Sequence, residues 1–75
     1  MKEFKEMMQK YNLTQHGPTW IYEDADCEES LEITPYGRNT FYVRYEIDCR
    51  GYIKCTRAIR TFSQVQDLLE EIFDF

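Results

Sequence analysis

Residues 41–60, FYVRYEIDCRGYIKCTRAIR, decide the fold, because they carry the clearest strand pattern in the chain. Between positions 41 and 48 the residues alternate between two sets, and this period of two is typical of a half-buried β-strand. One face receives Phe41, Val43, Tyr45 and Ile47, and the other receives Tyr42, Arg44, Glu46 and Asp48. A second β-prone run follows Gly51, so the stretch predicts a β-hairpin.

The hairpin turn sets which side chains face each other. A three-residue loop at positions 49–51, with its glycine in the left-handed conformation, places Tyr45 opposite Cys55 and gathers the apolar residues of both strands on one face. A two-residue loop instead pairs Ile47 with Lys54 and mixes polar with apolar side chains. We therefore predict the three-residue loop, with Cys55 in the core.

Helical spacing marks both ends of the chain. Near the N-terminus, apolar residues at i, i+3, i+4 and i+7 predict an amphipathic helix: Phe4, Met7, Met8 and Tyr11. Near the C-terminus, Ser63 and Gln66 fit a capping box that starts a second helix. The apolar face of that helix is predicted to hold Val65, Leu68, Leu69, Ile72 and Phe73.

Two shorter strands are predicted between the first helix and the hairpin. Residues 19–23 and 30–34 are β-prone runs, and residues 35–39, PYGRN, have the composition of a turn. The element order is therefore α-β-β-β-β-α. It predicts a single α+β domain over residues 1–75, an antiparallel meander with both helices packed on one sheet face.

Charge and cysteine content limit the classes of function. Fourteen acidic residues oppose nine basic ones, and the net charge of −5 disfavours non-specific binding to nucleic acid or to an anionic membrane. The three cysteines are an odd number without a CxxC pair, which argues against a secreted disulfide framework. No apolar run has the length of a signal peptide core or a membrane span. We expect a cytoplasmic, reducing setting.

Catalytic and metal-binding patterns do not emerge from the residues. Asp24, Asp26 and Glu28 alternate as at the start of a calcium loop, but the sixth position is Glu29 instead of glycine and the twelfth is Pro35 instead of an acid. The single histidine, His16, has no nucleophile or metal-ligand spacing around it. We expect no enzyme activity, no metal and no cofactor.

An acidic run is the leading candidate site. Residues 23–32 contain no base and six acids: Glu23, Asp24, Asp26, Glu28, Glu29 and Glu32. One interpretation is a solvated loop that keeps a small protein soluble. The other is a negative patch that docks on a basic protein, with Trp20 and Tyr22 as aromatic anchors. If that partner normally binds nucleic acid, the patch would act as a local nucleic-acid mimic.

The outer sheet face is the alternative site. In the predicted register Tyr42, Arg44, Tyr52 and Lys54 lie side by side, and aromatic rings interleaved with bases can bind single-stranded nucleic acid. The other interpretation is that tyrosines are good strand residues and that the bases pair with Glu46 and Asp48. The overall negative charge disfavours direct binding to nucleic acid.

Small size, acidic charge and many aromatic residues together give this chain a composition that is similar to that of inhibitors made by phages and mobile elements, such as anti-CRISPR and anti-restriction proteins. Cellular regulators and adaptors share the profile. The composition therefore leads us to expect a non-enzymatic inhibitor or adaptor that binds a basic, nucleic-acid-handling protein.

Overall fold

Five antiparallel strands follow one another across one sheet in the computed structural model, which describes residues 2–73. The elements are α1 (Lys2–Lys10), β1 (Thr14–His16), β2 (Thr19–Asp24), β3 (Glu29–Gly37), β4 (Thr40–Cys49), β5 (Tyr52–Arg60) and α2 (Phe62–Phe73). The predicted α+β class and antiparallel meander are confirmed. The structure adds β1, a short edge strand that pairs with β2 and contains His16, where the sequence pattern predicted no strand.

Both helices cover the same face of the sheet, here called the inner face, and the uncovered side is the outer face. The rings of Phe4 on α1 and Phe41 on β4 stack with their centroids 4.6 Å apart, and Phe62 at the start of α2 packs edge-on against Phe41. Burying side chains of this size is the main source of stability in a small domain. The fully buried set is Met8, Leu31, Ile33, Phe41, Val43, Val65 and Leu69.

The apolar faces of the two helices are confirmed, but the cap of α2 lies two residues before the predicted one. The backbone N–H of Gln64 donates to Thr61 Oγ1 at 3.3 Å, and the Thr61 N–H donates to Gln64 Oε1 at 2.9 Å. This reciprocal pair is a capping box built on Thr61, so the predicted Ser63–Gln66 box is wrong. The Phe62 N–H is also bonded, to Asn39 Oδ1 at 2.8 Å, which fixes α2 to the β3–β4 turn.

The predicted three-residue hairpin loop is wrong. Cys49 pairs with Tyr52, so the loop has two residues, Arg50 and Gly51, both with positive φ (52° and 85°). Two left-handed residues form the turn whose twist matches that of the flanking strands. The change of loop length shifts β5 by one position and moves each of its side chains to the other face.

The physical reason for this error is the position of β5. The apolar matching that favoured the longer loop would stabilise the hairpin only if that face of β5 were buried. Every residue of β5 is instead exposed or half-buried, and the strand forms an edge of the sheet. Cys55, predicted to be in the core, is exposed on the outer face opposite Glu46.

Candidate functional site

The acidic loop, residues 23–28, consists of the last two residues of β2 and the turn that joins β2 to β3. Asp24 Oδ1 accepts a hydrogen bond of 3.0 Å from the backbone N–H of Asp26. This Asx turn begins the reversal of chain direction between β2 and β3. Glu28 completes the reversal in the left-handed conformation, with φ of 46°. The side chain of Asp24 therefore helps to shape the loop.

Four carboxylates of the acidic loop point into solvent or lie at its edge. Glu23, Asp26 and Glu28 are exposed and Asp24 is half-buried. Within residues 2–73 the ion pairs involve the outer-face carboxylates of β3 and β4, and no base pairs with the acidic loop. This part of the predicted site keeps its negative charge uncompensated by the described residues.

The other two predicted acids have partners inside the molecule. Glu29 lies on the inner face and accepts a hydrogen bond from the Tyr45 hydroxyl. Burial, and then this bond, raise the pKa of Tyr45 well above its usual range. Glu32 lies on the outer face, where its Oε2 is 3.6 Å from Arg44 Nη1. Glu32 therefore lies apart from the acidic loop and forms an ion pair with an arginine of the hairpin.

Neither of the two predicted aromatic anchors is fully exposed. Trp20 is only 6% exposed and belongs to the core, opposite Ile33 of β3. Tyr22 lies on the same inner face, half-buried, with its ring edge-on to Phe73 at 4.8 Å. Burial raises the pKa of the Tyr22 hydroxyl, and the nearby carboxylates of Glu29 and Asp24 add to that effect. Trp20 is part of the hydrophobic core, and Tyr22 packs against it.

The alternative sheet-face site is not assembled. Tyr42 and Arg44 lie on the outer face, whereas the observed register places Tyr52 and Lys54 on the opposite face, so the predicted grouping is wrong. Arg44 is also engaged, with its Nη2 2.8 Å from Glu46 Oε1. This contact lowers the pKa of Glu46. The row of tyrosines and bases expected for stacking on single-stranded nucleic acid is absent from described residues 41–60.

A second group of carboxylates lies on α2, whose last residue contacts Tyr22. Phe73, at the end of α2, touches Tyr22, which precedes the acidic loop by one residue in the chain. The last turns of α2 carry the exposed side chains of Glu70 and Glu71, and that end of the helix has no basic residue. The loop also borders an open depression of about 400 Å³ lined by Glu23, Asp24, Ala25, Glu28, Glu29 and Ser30.

An exposed apolar edge was missed by the sequence analysis. Ile53 is 72% exposed and Ile59 is 62% exposed, both on the outer face of β5. In a two-residue hairpin the two residues that flank the loop, here Cys49 and Tyr52, form backbone hydrogen bonds with each other. From Tyr52 onward, every second residue of β5 therefore directs its backbone N–H and C=O groups to β4. Positions 53, 55, 57 and 59 then direct their N–H and C=O groups away from the sheet. Only the two-residue register reveals this surface.

Comparisons with known proteins add no family or function. No protein-family model matches the chain, and neither curated proteins nor solved structures show a significant match. Within residues 2–73 no group of three or more His, Cys, Asp or Glu side chains is arranged to hold a metal ion. Neither helix of that range is both long and apolar enough to cross a membrane.

Proposed function

We propose that this protein is a non-enzymatic binding module, an inhibitor or adaptor, that docks its acidic loop on a basic surface of a protein partner in the cytoplasm. One observation carries the proposal. Glu23, Asp24, Asp26 and Glu28 stand within six consecutive residues at one end of the sheet, and no base of residues 2–73 forms an ion pair with them.

Electrostatics explains why such a loop suits a basic partner. Like charges held close together repel, so the cluster does not stabilise the fold by itself. Lysine and arginine side chains of a partner would remove that repulsion and would also accelerate association through long-range attraction. Proteins that handle nucleic acids present such side chains to phosphates. Carboxylates at the acidic loop would then compete with phosphates for the same surface.

The structure reduces the candidate contact set. Trp20 and Tyr22 are packed on the inner face, and Glu32 is paired with Arg44. The binding surface we propose therefore consists of the acidic loop, with Glu70 and Glu71 of α2 as a second negative group. Glu29, held by the Tyr45 hydroxyl, supports the loop from the inner face.

The test is a charge reversal that leaves the turn intact. Glu23→Lys/Asp26→Lys/Glu28→Lys retains Asp24, whose side chain shapes the loop. Each reversal adds two positive charges, so the net charge changes from −5 to +1. A matched control, Glu3→Lys/Glu6→Lys/Asp67→Lys, reaches the same net charge by changing exposed acids of the two helices.

Affinity capture from cell lysate, over a salt series, compares the three proteins. We expect the wild type and the control to capture the same partner proteins, and the triple charge reversal of the acidic loop to lose them. Added duplex DNA should displace these partners from the wild type. If the loop variant captures the same proteins as the wild type, the proposal is wrong. Circular dichroism of all three proteins checks that each is folded.

A second candidate mode is strand addition at β5, and the exposed Ile53 and Ile59 favour it. An exposed sheet edge can take up an extended segment of another protein through backbone hydrogen bonds. Lys54, Arg57 and Arg60 make this edge basic, so the fitting segment would be acidic with apolar residues at alternate positions. This mode would use the opposite charge from the acidic loop.

Proline at an outward-facing position separates the two modes. Cys55→Pro removes a backbone N–H that points away from the sheet, and edge strands tolerate proline there. Cys55→Ala is the matched control, since it changes the same side chain and keeps the N–H. Loss of capture in the proline variant alone would assign binding to β5, whereas equal capture by both variants excludes strand addition.

A further inference from the structure

Two cysteines from distant parts of the sequence meet at one end of the sheet. Cys27 lies in the acidic loop and Cys49 is the last residue of β4. Because β3 is antiparallel to both β2 and β4, the β2–β3 loop and the β4–β5 turn lie at the same end of the sheet. The topology therefore brings together residues that are 22 positions apart.

The two thiols are in direct contact. The Sγ atoms of Cys27 and Cys49 are 2.8 Å apart, closer than two non-bonded sulfur atoms normally lie, and both residues are half-buried. The contact with Cys49, and then burial, raise the pKa of Cys27 to about 11. Cys55 cannot compete for either thiol, because it is exposed on the outer face, 3.5 Å from Glu46 Oε1.

We propose that Cys27 and Cys49 are a redox modification site that forms a reversible intramolecular disulfide with a small disulfide oxidant such as oxidised glutathione. The thiolate of one of the two cysteines attacks one sulfur of the oxidant, breaks its S–S bond and releases one glutathione thiolate. The thiolate of the other cysteine then attacks the protein sulfur of the mixed disulfide and releases the second glutathione thiolate. Two protein thiols are oxidised, one oxidant molecule is reduced to two thiols, and these take up the two protons.

The geometry supports the second step of the exchange in particular, because the resolving thiol already lies against the sulfur that it attacks. Because the two sulfur atoms are already in contact, resolution needs little movement of the acidic loop.

The cross-link would act on both stability and the acidic loop. It closes a ring of 23 residues, from Cys27 to Cys49, that contains all of β3 and β4. Closing such a ring removes conformational freedom from the unfolded chain. It also ties the acidic loop to the β4–β5 turn. The inference does not depend on the proposed function, because the disulfide can be measured without any partner.

The experiment treats the full-length, reduced protein with oxidised glutathione and measures intact mass and tryptic peptides. Cleavage after Arg38, Arg44, Arg50, Lys54 and Arg57 separates the three cysteines into different peptides. We expect the loss of two hydrogen atoms and a disulfide that joins residues 11–38 to residues 45–50. Oxidation should raise the melting temperature by roughly 10 °C or more, and a reductant should reverse the shift.

Three serine variants provide the controls. Cys27→Ser and Cys49→Ser should lose the intramolecular cross-link and its thermal shift, whereas Cys55→Ser should keep both. Stable glutathione adducts on Cys27 or Cys49 without a cross-link would overturn the proposal. So would a disulfide that involves Cys55 in place of either residue, or a wild-type protein that stays reduced.

Discussion

Arg50→Asn should stabilise the protein, and this substitution tests the hairpin register. Arg50 has φ of 52° in the observed turn, a conformation that costs an ordinary side chain about 1–2 kcal/mol. Asparagine adopts this conformation more readily than arginine because its short polar side chain can bond to the local backbone. We expect a gain of about 0.5–1 kcal/mol, which for a domain of this size raises the melting temperature by about 2–8 °C.

Two further variants define the origin of that gain. Arg50→Gln removes the same charge without the conformational preference of asparagine, so it should leave the melting temperature unchanged or slightly lower. Gly51→Ala should destabilise by about 1 kcal/mol. A Cβ at Gly51 meets no atom within 4 Å, so any loss there comes from its φ of 85° and not from a clash.

Thermal unfolding followed by circular dichroism measures all three variants against the wild type. In a three-residue loop only the glycine is left-handed, so Gly51→Ala would still cost stability but Arg50→Asn would bring no gain. An Arg50→Asn protein that melts at or below the wild-type temperature would therefore refute the two-residue turn. The assignment of each β5 side chain to a face would then fail with it.

Three other predictions follow from single contacts. Thr61→Ala should lower the free energy of unfolding by about 1 kcal/mol, measured by urea titration, because it removes the cap of α2. Ser63→Ala should change that free energy by less than about 0.5 kcal/mol. The pKa of Tyr45 is raised by burial and by its bond to Glu29, so the stability it contributes is present below pH about 10 and is lost as the pH rises further. Tyr45→Phe should therefore reduce the alkaline loss of stability, and equal losses in both proteins would contradict this. Arg44→Gln should move the pKa of Glu46 back up toward its ordinary value in an NMR titration, and an unchanged pKa would show that Arg44 is not its main partner.

The helices could be predicted from the sequence because an apolar stripe at helical spacing needs a surface to cover it. Phe4, Met7 and Met8 on α1 are all buried, as are Val65 and Leu68 on α2. Each apolar stripe therefore predicts which face of its helix is buried, and the antiparallel meander provides the sheet face on which both helices pack.

The register could not be predicted from apolar alternation. Ile53 and Ile59 alternate with polar residues as a core-facing strand would, yet both are exposed on the outer face. Apolar alternation predicts burial only where another layer of the protein covers that face of the strand. β5 lies at the edge of the sheet, and its outer face is exposed. The observed register places Arg50 and Gly51 in the left-handed conformation, although that conformation is costly for an arginine.

The candidate site was predicted in part. The acids within the β2–β3 connection do face solvent, but Glu32 is separated from them because it lies inside β3, opposite Arg44. Trp20 and Tyr22 share a face because they are two residues apart, and a single sequence cannot show whether that face is covered. The meeting of Cys27 and Cys49 could have been predicted, since a meander places the β2–β3 and β4–β5 connections at the same end.

The most direct test of the proposed function is the salt dependence of binding to one captured partner. Calorimetry would give the dissociation constants of the wild type, the loop variant (Glu23→Lys/Asp26→Lys/Glu28→Lys) and the helix control (Glu3→Lys/Glu6→Lys/Asp67→Lys) between about 50 mM and about 300 mM salt. We predict that the wild type and the control bind tightly at low salt and weaken at least about tenfold across the series, and that the loop variant binds at least about tenfold more weakly at low salt. Equal affinity of the wild type and the loop variant at low salt would contradict the role of the acidic loop.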